Sequence, residues 1–288
     1  MTVSDDLLHR FIFDNTDIRG EIVTLHSSLN GLFAQQHYPL TVKKLLGEFM
    51  AAAALLSSTL KFDGLLTLQA RGDGPLSLIM AETNHNRQLR GIAKFQEPLP
   101  EFSNLPALIG KGVLSIIIDP QQGKRYQGIV PLDGPNLADC LEHYFMQSEQ
   151  LPTRLWLASD GTNAGGLLLQ RLPQQVADSD TNQQVWENRI QLANTITAEE
   201  LLHLDHMMVL KRLFHEEGVR YFEPAPVSFH CRCSWQRSAQ MLTHLGEADA
   251  LALAQENGGI TVECDFCGQV YHYNEADVTD LFSPQTRH

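Results

Sequence analysis

The chain reads "FHCRCSWQRS" at Phe229–Ser238 and, with thirty residues between the inner cysteines, "CDFCGQVYHY" at Cys264–Tyr273. Four of its five cysteines, Cys231, Cys233, Cys264 and Cys267, fall in these two stretches. A C-x-C and a C-x-x-C must bridge, react or hold a metal. Which of these applies decides how the C-terminal part folds.

Two cysteine pairs tens of residues apart suit a tetrahedral all-cysteine site for one Zn²⁺ per chain, with Zn–S distances of about 2.3 Å. Gly268, after the second pair, permits the tight turn of a zinc knuckle. The first pair needs an extended or turned backbone. Residues i and i+2 share a face on a strand but diverge by about 200° on a helix. The roughly 65 residues from Glu223 to His288 cannot normally bury enough surface to fold without a staple. A zinc staple is therefore the plain reading.

Redox switching is the second, since the thiolate is the form oxidants attack. Oxidation to two disulfides would remove the ligands and eject a metal whose apparent binding energy is on the order of 10–16 kcal/mol. A thiol–disulfide oxidoreductase with a zinc-stapled tail is the third. Its C-x-x-C belongs at a helix N-terminus in a βαβ pattern, whereas "VECDFCGQVYHY" is flanked by alternating strand-like residues. His230 and His272 are read as neighbours, because four thiolates already complete a tetrahedron. Cys140 shares i, i+3, i+4, i+7 spacing with Leu137, Leu141 and Tyr144, which predicts a buried structural cysteine.

Composition narrows the function classes. The 288 residues favour one large domain plus a smaller one, and 43% hydrophobic with 19% charged content supports a sizeable core. The formal charge is 21 − 34 = −13, and Glu223–His288 alone carries 3 − 9 = −6, so nucleic acid is not an expected partner. The start "MTVSDDLLHR" lacks the features of a signal peptide. The stretch Phe49–Leu60 falls short of the ~20 apolar residues that span a bilayer. It is read as a buried helix, and a cytoplasmic location without membrane contact is expected. Stable disulfides are not the default there. No G-x-S-x-G, Walker loop or H-E-x-x-H occurs, the histidines lack metal-ligand spacing, and no catalytic constellation emerges.

Three segments are expected. Residues 1–172 alternate strand-like and helical runs. "IRGEIVTL" reads as a strand, and "LTVKKLLGEFMAAAALLSSTL" as a helix capped by Thr41. Further strands form a hairpin around "GDGP", and a helix is expected at Asn136–Gln147. Hairpins without regular βαβ crossovers predict an α+β domain with a mainly antiparallel sheet. Residues 173–222 form a helical linker opening with the poorly apolar Pro173–Gln184. Thr197 and Glu200 form a capping box there, and Asp205 caps a helix expected to run to Gly218 with Glu216 and Glu217 opposing its macrodipole. Residues 223–288 form the small four-cysteine domain. The linker's apolar stripe includes Leu201, Leu202, Met207, Leu210, Leu213 and Phe214. Ordinary helical packing explains such a stripe, and so does a re-packable surface for varied partners.

The two cysteine motifs at this separation resemble the 33-kDa chaperonin family of redox-regulated heat-shock chaperones. "IRGE", "LKFDG" (Leu60–Gly64), "GDGP", "RYQG", "YFMQSEQLPTR" (Tyr144–Arg154), "AGGLLLQ", "RLFHEEGV" and "CDFCGQVYHYN" look like the family's blocks, in its order, along nearly the whole chain. The resemblance implies a cytoplasmic, ATP-independent holdase rather than an enzyme, inactive when reduced and zinc-bound. It implies that oxidation pairs Cys231 with Cys233 and Cys264 with Cys267, releases zinc and unfolds tail and linker. Stripe residues Leu201, Leu202, Met207, Leu210, Leu213 and Phe214 would then meet unfolding client proteins. The resemblance also implies a homodimer in the oxidised state.

Overall fold

The first strand is covered on both faces along most of its length. In β1, Leu7–Phe13, the side chains of Leu8, Phe11 and Phe13 are buried while Arg10 faces solvent. The strand pairs antiparallel with β2, Ile18–Leu25. The computed structural model describes residues 6–59, 63–100, 104–175 and 179–283. Residues 60–62 of the "LKFDG" block and 176–178 of the expected linker start lie outside them.

Asp6 precedes β1 and ties down the next element, α1 (Ser27–Phe33). Its carboxylate accepts from the backbone N–H groups of His26, Ser27 and Ser28 at 2.7–3.0 Å, satisfying donors that a helix start leaves free. The long helix α2 is Leu40–Thr59. Its Ala51–Ala54 run is buried throughout, and such small side chains let it pack against both sheets of the domain. Thr41 does not cap it. The helix begins one residue earlier, where the Pro39 carbonyl accepts from Lys43 N at 3.0 Å and leaves Thr41 inside the first turn.

The hairpin around "GDGP" is β3 (Gly64–Gly72) and β4 (Leu76–Asn84). After β5 (Gln88–Phe95) and the short α3 (Leu105–Ile109) come β6 (Gly112–Pro120) and β7 (Tyr126–Pro131). Asn136 caps α4, Leu137–Tyr144, which runs into a π-helical turn at Phe145–Glu149. Leu137, Cys140, Leu141 and Tyr144 are buried on one face of α4, as their spacing predicts. The strands β8 (Thr153–Ser159) and β9 (Ala164–Arg171) follow.

Three helices come next, α5 (Ser179–Ala193), α6 (Ala198–His203) and α7 (His206–Phe214). The Thr197–Glu200 capping box and the Asp205 cap both form. However, α7 ends at Phe214, with Lys211 and Arg212 in its last turn. Glu216 and Glu217 lie beyond it, and Glu217 pairs with Arg189 of α5. The expected macrodipole penalty does not arise.

The chain then returns to sheet edges through β10 (Val219–Tyr221), β11 (Ala225–Pro226) and β12 (Ser228–Phe229). One sheet has the order β10-β1-β2-β9-β8, with β11 also on β1, and the other β12-β5-β4-β3-β6-β7. Every pairing is antiparallel except β12 with β5, so the class is α+β with mainly antiparallel sheets. The helices α5–α7 bury Leu201, Leu202, Val209, Leu210, Leu213 and Phe214 with Phe11, Phe13 and Leu167 of the first sheet.

Among the described residues, 6–32 and those from 38 to 230 form one compact unit, and 33–37 with 231–283 form the other. By compactness the strands β10–β12 go with the first unit, whose sheets they join. Among the described residues no helix is long and apolar enough to cross a membrane.

A histidine pair joins β1 to α7. His9 Nδ1 lies 2.8 Å from His206 Nδ1, and His206 Nε2 lies 2.6 Å from Thr24 Oγ1 of β2. Burial, then the neighbouring His9, push His206 down to about 4 from 6.5, with Asp205 opposing. A doubly protonated pair has only donors facing each other. Docking of α7 is therefore complete above pH 6.5 and weakens as pH falls toward 4, because the undocked segment takes up the proton first. The full effect is ~3 kcal/mol at 1.36 kcal/mol per pKa unit. Glu21 and Glu48, pushed up to about 7 by burial, act on global stability in the opposite sense. The local readout is accordingly the informative one. Amide exchange over Met207–Phe214, corrected for intrinsic rates, should rise between pH 6.5 and 4, and His206→Gln should flatten that rise. An unchanged profile in the variant contradicts the assignment.

Candidate metal centre

The second unit builds its site from a small frame. Ser234 caps α8, Trp235–Thr243, by accepting from Arg237 N at 3.2 Å. Then come α9 (Glu247–Asn257), the hairpin β13 (Ile260–Glu263) and β14 (Val270–Tyr273), and α10 (Glu275–Phe282), capped by a box between Asn274 and Asp277. Ala239, Leu242, Ala250, Ala254, Ile260, Tyr273 and Val278 are its buried core. Tyr273 links β14 to α8. Its hydroxyl donates to Trp235 O at 2.8 Å, lies 2.6 Å from Ser238 Oγ, and its ring packs 4.9 Å from the Trp235 ring.

Cys231 and Cys233 lie in an irregular stretch just before the Ser234 cap, in neither helix nor strand. Cys264 and Cys267 occupy the turn between β13 and β14. There Gly268 N donates to Cys264 O at 2.8 Å, Cys264 N donates to Gln269 O at 2.9 Å, and Gly268 has φ of 72°. That left-handed conformation suits glycine, as the knuckle reading requires. A hairpin turn is not the helix N-terminus on which a dithiol oxidoreductase depends.

The turn and the irregular stretch bring the four half-buried thiols together, with every Sγ within 4.8 Å of the others. Cys231 Sγ lies 3.6 Å from Cys264 Sγ, and Cys233 Sγ lies 3.5 Å from Cys267 Sγ. A tetrahedron with Zn–S bonds of about 2.3 Å has edges of about 3.8 Å, whereas a disulfide needs about 2.05 Å. The cluster can hold a metal ion, and its size and sulfur donors are compatible with zinc.

The thiols are not equivalent. Burial pushes Cys231 up. At Cys267 burial does the same, reinforced by Cys233 and Cys231. At Cys233 burial opposes ionisation, but donation from the Tyr271 hydroxyl at 3.1 Å and from neighbouring thiols holds it below the ordinary range. Tyr271 was not legible as part of the site. The only signal was strand alternation, which puts Tyr271 and Tyr273 on one face of β14.

His230 and His272 are exposed, and His272 Nδ1 meets Thr261 Oγ1 at 3.1 Å. Cys140 lies in the first unit, buried, with burial pushing its thiol up. The six stripe residues also lie in that unit. Leu201, Leu202, Leu210, Leu213 and Phe214 are buried against the sheet, while Met207 and its neighbour Met208 are 39% and 60% exposed.

Comparison with known proteins agrees along the whole length. The profile of the Hsp33 protein family matches residues 6–274. A 33 kDa chaperonin of Ectopseudomonas mendocina is 51% identical over 99% of this chain and 100% of its own length. One of Azotobacter vinelandii is 50% identical, covering 96% of this chain and 95% of the relative. The crystal structure of the Thermotoga maritima 33 kDa chaperonin superposes with a TM-score of 0.81 at 23% identity, over 97% of this chain and 98% of that one.

Metal analysis of the reduced protein should give one ion per chain, and Cys264→Ser should drive the content toward zero. Cys140→Ala should leave it unchanged. Full retention of metal in single serine variants at Cys231, Cys233, Cys264 and Cys267 would remove the assignment.

Proposed function

Since the chain belongs to the Hsp33 family of chaperones, we propose that it is a redox-regulated, ATP-independent holdase of the cytoplasm and not an enzyme. The observation that carries this reading is the four-sulfur cluster. It is built from two chain segments that the small core alone holds weakly together. Zinc, when bound, keeps all four sulfurs as thiolates and ties the C-x-C to the C-x-x-C.

The switch lies in the cysteines. Each oxidation removes two electrons from one pair of thiolates and forms one S–S bond, while a peroxide takes up the electrons with two protons and leaves as two waters. Two such events pair Cys231 with Cys233 and Cys264 with Cys267. With its thiolates consumed the site no longer retains the ion, and because each bridge lies within one motif nothing ties the motifs together. Crossed bridges would preserve the staple. Residues 1–172 act as the standing domain, 173–222 as the releasable linker and 223–288 as the switch.

Release has a physical route through the first unit. Between α7 and Cys231 the chain is held by β10, β11 and β12, which have three, two and two residues, all at sheet edges. Edge strands this short open locally at little cost. The layer behind them, α6 and α7, buries Leu201, Leu202, Leu210, Leu213 and Phe214 and already presents Met207. Freed from the sheet, that stripe offers unfolding proteins an adaptable Leu/Met surface. Dimerisation of the oxidised form belongs to the same proposal, since it would cover part of the newly exposed apolar area.

Peroxide with mild warming should map disulfides to 231–233 and 264–267, release the metal, and raise amide exchange in 198–283 while residues 6–171 stay protected. The oxidised protein should suppress aggregation of an unrelated unfolding protein at near-stoichiometric ratios, and the reduced protein should not. Equal suppression by the reduced, metal-loaded form contradicts redox control. Multiple turnovers with a dithiol substrate and a compact oxidised form would point to an oxidoreductase instead.

A further inference from the structure

Glu48 sits in the middle of α2, on a helix whose neighbouring positions are buried. The residue keeps some surface because it lines a cavity, yet protein surrounds its carboxyl so closely that burial alone pushes it up to about 7. Among the described residues it has no hydrogen-bond or ion-pair partner. A desolvated, unpaired carboxyl is costly, and the cost falls when a cation pairs with it.

Two adjoining cavities meet at Glu48 and Asn136. The larger one, about 440 Å³, includes Lys44 in its wall. Lys44 stands one turn before Glu48, is exposed, and makes no ion pair with it. The smaller one, about 290 Å³, has no cationic side chain among its lining residues. Leu155, Leu157 and Ala158 of β8 line it, together with Ile196 and the α6 residues Ala198 and Leu201. Asn136 meets Asp139 through its amide oxygen and one N–H at the α4 cap, and as a neutral amide it cannot balance the charge of Glu48. A cavity of this size, at the lower end of ligand pockets, suits a small guest with one charge and a short apolar body.

We propose that the smaller cavity is a binding site for an alkylammonium or guanidinium group, its charge paired with Glu48 and its stem against Leu155, Leu157 and Leu201. A free small amine and the side chain of a lysine or arginine share this chemistry. Since α6 forms one wall, the guest binds only while α6 is docked, and by mass action it holds the helix down. The effect on client release rests on the function proposed above, whereas the binding itself does not.

Calorimetry on the reduced, metal-loaded full chain tests the binding without any client assay. n-Butylammonium should bind saturably at pH 8. It should bind about tenfold more weakly at pH 6, where a carboxyl titrating near 7 is about one-tenth ionised. Its presence should slow amide exchange over 199–203. Glu48→Gln, of the same shape but without charge, should abolish binding, while Lys44→Ala should retain it. A lysine blocked at both ends distinguishes the sources. If it binds, the site accepts polypeptide side chains. If it does not, the site is confined to free amines, and either result keeps the proposal. No saturable binding of n-butylammonium, equal binding of n-butanol, or undiminished binding in a folded Glu48→Gln overturns it.

Discussion

Four sulfur atoms within 4.8 Å of one another cannot all ionise unless a cation neutralises them. As four thiolates they carry −4 in a volume smaller than a side chain, and a dication reduces this to −2. As thiols they are neutral, a form that burial favours further at Cys231 and Cys267, whereas hydrogen bonds donated to Cys233 favour its thiolate. A core of seven buried side chains, several of them alanines, supplies little to offset the loss of that neutralisation. On the proposed reading, the tail's fold and the chemical state of its sulfurs are one variable.

That variable reaches the first unit through chain connectivity. Cys231 follows directly on the segment in which His230 N donates to Leu89 O and β12 pairs with β5. Behind it the holding contacts become progressively stronger, from two- and three-residue edge strands to the α7 helix packed on Phe11 and Phe13. The histidine pair between β1 and α7 and the Arg189–Glu217 pair fasten the deepest layer. Such grading suits a segment that must stay shut in one state and open in another, since short edge strands yield before the helices do.

Much of this was legible because local chemistry and tertiary demand agree. The cysteine spacing, Gly268, the Thr197–Glu200 box and the Cys140 stripe each specify structure within a few residues. The Ala-rich core of α2 was equally clear, since a helix apolar all round has to be buried. What stayed hidden depends on distant partners. β1 was missed because its apolar residues do not alternate and it follows an acidic start. The strands β10–β12 have two or three residues and exist only because β1 and β5 offer open edges. The end of α7 was misplaced because Glu217 answers to Arg189 across the fold, not to its own helix. His9 with His206, 197 residues apart, and the unpaired Glu48 carry no local signature at all.

The account's central claim is that the metal-bound sulfurs, not the tail's own core, keep the second unit folded. Chelating the metal from protein held under strong reductant separates that claim from disulfide formation. Amide exchange should then lose protection throughout 231–283 while residues 6–171 keep theirs, and returning one equivalent of zinc should restore it. A metal-free, reduced tail that keeps its protection over α8–α10 and the β13–β14 hairpin would contradict the account.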